Sequence, residues 1–165
     1  MARTPPSAFR QHLHGIAGKS ILGLRHRLKK GVSLGVRGLA FSDAGEVFLV
    51  RHSYLPGFHL PGGGVDPGES AYAAMVRELR EEGNLELTEP GAFFGFYFNP
   101  SLGNRDHVAL YVARSVRQPA PPRVPNSEIL EARFFALDAL PDETTPATRR
   151  RLAEVLKGAP VSEHW

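Results

Sequence analysis

The chain has no cysteine among its 165 residues, which excludes disulfides, thiolate zinc sites and cysteine nucleophiles and gives no sign of an oxidising compartment. No apolar run approaches the roughly 18 residues that cross a bilayer, and the N-terminus lacks the compact apolar core of a secretory signal. A soluble, cytoplasmic protein without a membrane span is expected. No internal repeat is visible, which sets aside solenoids and propellers. Acidic residues are missing from the first 30 positions, which hold seven basic ones: Arg3, Arg10, Lys19, Arg25, Arg27, Lys29 and Lys30. The remaining 135 positions carry 13 basic against 17 acidic residues, so the overall charge of +3 belongs to this arm alone. The rest of the chain has no basic excess with which to track nucleic acid. Hydrophobic residues make up 42% of the chain, enough for one full core and too little chain for two. The expected organisation is a basic, partly helical arm over 1–31 and a single domain over 32–165.

What is present is concentrated between Pro61 and Leu85. A Gly/Pro-rich turn, Pro61-Gly-Gly-Gly-Val-Asp-Pro-Gly68, precedes a stretch from Ser70 to Glu82 free of both residues. Within that stretch Tyr72, Met75, Val76 and Leu79 recur at the spacing of one helix face, expected to pack inward. At 100° per residue Glu78, Glu81 and Glu82 project from a neighbouring side of the last turn. Like charges at that spacing cost a few tenths of a kcal/mol per pair, and carboxylates oppose the negative end of the helix dipole. Clustered carboxylate oxygens are what a hard divalent cation such as Mg²⁺ or Mn²⁺ binds, and the ion removes the repulsion.

Gly63, five residues, Glu69, seven residues, Arg77-Glu78-Leu79, one residue, Glu81-Glu82, one spacer, a position usually Gly, then apolar Leu85: this order resembles the Nudix box, the defining motif of the Nudix hydrolases. Asn84 stands where that Gly is usual, and Asn is the next most tolerant residue of the left-handed conformation that ends such a helix. The resemblance extends over about Val32 to Lys157. It implies an α/β fold, an α/β/α sandwich with a mixed central sheet. The activity it implies is divalent-metal-dependent hydrolysis of a pyrophosphate bond in a nucleoside diphosphate linked to some group X. Carried over by position, it makes Glu78, Glu81 and Glu82 metal ligands together with the Gly63 carbonyl. Glu69 becomes an auxiliary carboxylate and Arg77 the orienter of neighbouring glutamates. The general base is either Glu78 or a later carboxylate, Glu128 or Glu131, with Glu131 alternatively paired to Arg133. His52 and His59 flank the glycine turn as candidates for phosphate or ribose. A small-molecule nucleotide is the expected partner, with no stable nucleic-acid partner. An RNA 5′ end as substrate and a non-catalytic nucleotide sensor are the alternatives.

Around this centre, Val32 to Phe41 and Glu46 to Arg51 alternate at period two about a Ser42-Asp-Ala-Gly45 turn and read as an antiparallel hairpin. Phe58-His59-Leu60 reads as a short strand entering the glycine turn. Leu85 to Leu87, Ala92 to Phe98, His107 to Ala113 and Glu131 to Ala136 read as further strands. The Ala92 to Phe98 strand is aromatic on both faces and is expected to be buried on both. Val116 to Asn126 contains four prolines and is expected to stay out of any sheet. Pro146 to Leu156 reads as a final helix with Pro in its first turn. The arm itself, with Phe9, Leu13, Ile16, Leu24 and Leu28 between basic residues, suits a helix packed on the domain, a homodimer-forming element or a contact with an anionic surface.

Overall fold

The computed structural model describes residues 31–102 and 104–165; the expectations for the arm lie outside them. Val32–Trp165 forms a unit of its own. Its elements in chain order are β1 (Ser33–Ala40), β2 (Val47–His52), β3 (Phe58–His59), α1 (Ala71–Gly83), β4 (Glu86–Leu87), β5 (Ala92–Asn99), β6 (Asp106–Ala113), β7 (Val116–Arg117), β8 (Ile129–Phe135) and α2 (Pro146–Lys157).

The turn between the first two strands forms as expected, with Gly45 N donating to Ser42 O and Ser42 N to Glu46 O. The hairpin does not. Beyond a single bridge between Phe41 and Val47 the strands part: β1 runs parallel to β6 from Ser33↔Asp106 to Ala40↔Ala113, whereas β2 lies antiparallel to β3 and β8. The cause is burial on both faces. Val36 and Ala40 of β1 and Phe48 and Val50 of β2 join one core cluster, while Leu39, Val47 and Leu49 join another. A two-stranded ribbon cannot cover two apolar faces, whereas two sheets with helices outside them can. The first cluster is closed by Ala74, Met75 and Leu79 of α1 and the second by Leu152 of α2. The result is an α/β/α sandwich with a mixed sheet β1-β6-β5 beside an antiparallel sheet β3-β2-β8.

Two further expectations are corrected. Strand β5 is an edge strand, and Phe93 and Phe96 are exposed. A bulge between Phe93 and Gly95 puts Phe93 opposite Tyr111, Phe96 opposite Ala109 and Phe98 opposite His107, so Phe93 shares a face with Phe96 and Phe98. Only Tyr97 of this strand's aromatic rings is fully buried. In the proline-rich segment, Val116 and Arg117 precede the first proline and do pair, with Leu87 and Glu86. Proline excludes its own position from a ladder, not the residues before it.

Both helices are capped by side chains the sequence supplies. Ser70 accepts from Ala73 N, and Thr145 from Thr148 N with Pro146 following. Asn84 adopts φ 50°, its N–H donating to Arg80 O while Leu85 N reaches back to Leu79 O. Asn at this position therefore ends α1 as a glycine would, and its Nδ2 gains Ala120 O at 2.9 Å. Tyr72 lies exposed at the rim of α1, and Ala74 takes the buried place expected for it.

Candidate active site

The glycine turn is held between β1 and α1. On the β1 side, Gly38 N donates to Pro61 O, Val36 N to Gly63 O and Val65 N to Leu34 O, all at 2.9 Å. On the α1 side, Gly62 N donates to Glu82 Oε2 at 2.8 Å. Gly62 has φ +145°, and a Cβ there would collide with Val36 O. A Cβ at Gly63 would strike Glu78 Oε1, so the glutamate can lie against the turn only because that residue is glycine.

Arg77 gathers the carboxylates. It donates to both oxygens of Glu69 at 3.0 Å, to Glu78 Oε1 at 2.6 Å, to Glu81 Oε2 at 3.3 Å and to Gly64 O at 3.0 Å. These charge-assisted bonds hold Glu69 below the usual carboxylate range and raise the arginine's own pKa. Glu78 is half-buried, and desolvation pushes it up against the pull of Arg77. Glu82 is buried, with 6% of its surface exposed. Desolvation pushes its carboxyl up to about 8, opposed by the charge of Arg37 and the Gly62 N–H and reinforced by Glu78 and Glu128. Glu81 is exposed. The three glutamates leave the helix on one side but reach different partners, and among the described residues no three His, Asp or Glu side chains converge on one point. Their chemistry nonetheless fits a hard divalent ion: all donors are oxygen, and Glu82 carries a buried carboxyl with no Lys or Arg within ion-pairing distance among the described residues.

The flanking candidates separate. His52 Nε2 lies 3.7 Å from Glu82 Oε1, but the ring is buried and neither nitrogen has a hydrogen-bond partner among the described residues. Burial, with Arg37 and His59 adding, lowers its pKa to about 4, so at neutral pH the ring is uncharged. His59 is likewise lowered, chiefly by burial, and its Nε2 meets Pro56 O at 2.9 Å. Glu128 is exposed, accepts from Tyr54 Oη at 3.4 Å and contributes to the field at Glu82. Glu131 is turned away into a pair with Arg51 and Arg133, at 3.1 and 2.9 Å, which holds it below its usual range. The pairing with Arg133 that the sequence allowed is therefore present. Arg37 is the residue that sequence reading passed over; a lone charge inside the Leu34-Gly-Val-Arg-Gly-Leu-Ala40 strand was the available signal.

A family profile described as the NUDIX domain matches residues 32–156. The chain belongs to the Nudix family. It is 36% identical over 70 residues to a protein of Bacillus subtilis named as a putative 8-oxo-dGTP diphosphatase, across 42% of this chain and 46% of that one. It is 40% identical over 58 residues to an RNA pyrophosphohydrolase of Legionella pneumophila, across 35% of this chain and 33% of that one. The chain spans about half or less of the length of these curated relatives. A solved MutT Nudix hydrolase of Burkholderia pseudomallei superimposes with a TM-score of 0.64 at 28% identity, covering 76% of this chain and 99% of that one. No described helix is long and apolar enough to cross a membrane.

Proposed function

We propose that this Nudix chain is a divalent-metal-dependent pyrophosphohydrolase acting on a small nucleotide, a nucleoside diphosphate linked to a group X. The observation that carries the reading is Glu82: a buried carboxyl on a helix held to a glycine turn, with no Lys or Arg partner among the described residues. Glu78, Glu81 and Glu82 would hold the ion with the Gly63 carbonyl, and Arg77, braced by Glu69, orients Glu78 and Glu81. Mg²⁺ or Mn²⁺ in such a site neutralises non-bridging phosphate oxygens and lowers the pKa of bound water. Glu128, exposed and in no ion pair among the described residues, is the later carboxylate we favour for taking a proton; Glu78 is the alternative within the helix. The relative named as an 8-oxo-dGTP diphosphatase supports a nucleotide substrate.

The test is turnover of the purified protein on nucleoside triphosphates, ADP-ribose, dinucleoside polyphosphates, nucleotide sugars and 5′-triphosphorylated RNA, with Mg²⁺, with Mn²⁺ and with chelator. Metal-dependent release of a phosphate-containing product from a small nucleotide is expected. Ligand-induced stabilisation without product would establish a sensor instead. The relative named as an RNA pyrophosphohydrolase favours a second reading, in which the basic residues of 1–30 contact RNA. Deleting 1–30 separates the two: selective loss of RNA turnover supports RNA, whereas an equal effect on all substrates supports the small nucleotide.

A further inference from the structure

Arg37 sits on β1 with its side chain against the glycine turn. Its Nη1 donates to two backbone carbonyls, Leu60 O at 3.0 Å and Gly62 O at 2.6 Å. It forms no ion pair with any carboxylate among the described residues, although its charge reaches Glu82, Glu78 and His52. A partly buried arginine spent on carbonyls beside an unpaired buried glutamate is an unexpected use of charge, since the guanidinium matches a carboxylate far better.

The Pro61–Gly62 peptide explains it. Its N–H donates to Glu82 Oε2, and the carbonyls on either side of it, those of Leu60 and Gly62, both accept from Arg37. Because Gly62 lies at φ +145°, where no other residue would hold the turn, its orientation rests on its neighbours rather than on local preference. A direct Arg37–Glu82 ion pair would occupy the oxygens and the charge that a metal ion needs. Acting through the peptide fixes where Oε2 points and leaves the carboxylate's charge unspent.

We propose that Arg37 is a positioning residue of the metal site, which clamps the carbonyls flanking the Pro61–Gly62 peptide and through that peptide's N–H sets the orientation of Glu82. The proposal rests on the pyrophosphohydrolase reading only in taking Glu82 as a ligand. Residues that orient a metal ligand typically change metal affinity about 10- to 100-fold when removed.

The experiment is calorimetric titration of the full chain with Mn²⁺ alone, alongside thermal unfolding, for Arg37→Met, Arg37→Lys and Glu82→Gln. Arg37→Met is expected to weaken Mn²⁺ binding about 10- to 100-fold while unfolding at nearly the wild-type temperature. Both bonds come from one nitrogen, so an ammonium can replace it, and Arg37→Lys is expected to keep the affinity within about threefold, far from the loss on full removal. The lysine variant also keeps the test open if the methionine variant does not fold. Loss of Mn²⁺ binding in Glu82→Gln with wild-type affinity in Arg37→Met overturns the positioning role and leaves the function standing. So does a folded Arg37→Lys that binds as weakly as Glu82→Gln. Wild-type affinity in all three overturns the metal site itself.

Discussion

Two glutamates in this domain are equally buried, each with 6% of its surface exposed, and they are treated in opposite ways. Glu154 on α2 accepts from Arg151 Nη2 at 2.6 Å, from Tyr97 Oη at 2.9 Å and from Ser162 N at 3.0 Å. Arg151 in turn reaches His164 O and lies 4.0 Å over the Tyr97 ring. That network ties α2 to β5 and to the segment carrying Trp165, whose N–H bonds Phe98 O. Glu82 on α1 has one backbone N–H and a neutral imidazole at 3.7 Å. A buried carboxylate with partners on every side holds a fold together, whereas one left short of partners is costly unless something else completes it. The same residue type at the same depth is tied into the fold in one place and left short of partners in the other.

The sharpest way to break this contrast is Glu82→Gln. Turnover should fall by about three orders of magnitude or more, since a metal-directed charge is gone, while the fold persists. In the metal-free protein the group also has a pH signature. The folded state keeps the Glu82 proton until about 8, against an ordinary value of 4.5, so the unfolded chain holds fewer protons between those limits and stability falls as pH rises. His52 works the other way: its pKa of about 4 when folded, against 6.5, makes stability rise with pH until 6.5. Above 6.5 only the first effect remains of these two. Thermal unfolding of wild-type protein with chelator should drop from pH 6.5 to 8, and Glu82→Gln should flatten that drop. An equal slope in both proteins removes the claim that Glu82 is buried at a cost.

Arg151→Met tests the other side. It strands Glu154, and breaking a buried pair typically costs about 3–5 kcal/mol, to be read as a lower unfolding midpoint in urea. Specific activity of the folded fraction should be unchanged, because neither residue approaches the glycine turn. The smallest effect belongs to Glu131→Gln. A surface pair is worth about 0–1 kcal/mol, and turnover should stay within a few-fold of wild type, whereas loss of a general base would cost roughly 10²–10⁴. A loss of that size would return Glu131 to the site.

The site was more legible than the sheets around it, for a physical reason. Glu78, Glu81, Glu82, Arg77 and Gly63 lie within one helix and its preceding turn, so local geometry brings most of them together and spacing reveals it. The start and end of α1 were equally local: Ser70 and Asn84 act within four residues of themselves. Strand pairing is not local. Nothing near Val36 or Leu49 says that β1 will lie beside β6 rather than β2; that follows from which faces end up covered, and it turned the expected hairpin into two sheets. The bulge at Phe94 likewise overturned the two-faced burial of β5, because one inserted residue reverses every later side chain. Arg37 was missed because its contacts are the carbonyls of Leu60 and Gly62, more than twenty residues away. The burial of His52 was not legible because it depends on packing that the sequence around it does not record.

The central claim is that Glu82 keeps a proton in the empty site and gives it up to a divalent ion. Titrating the metal-free protein with Mn²⁺ at pH 7 in two buffers of different ionisation enthalpy measures the protons released on binding. The account predicts release of close to one proton per site in the wild type and little in Glu82→Gln. Binding with no proton release in the wild type, or with the same release in both proteins, would contradict it.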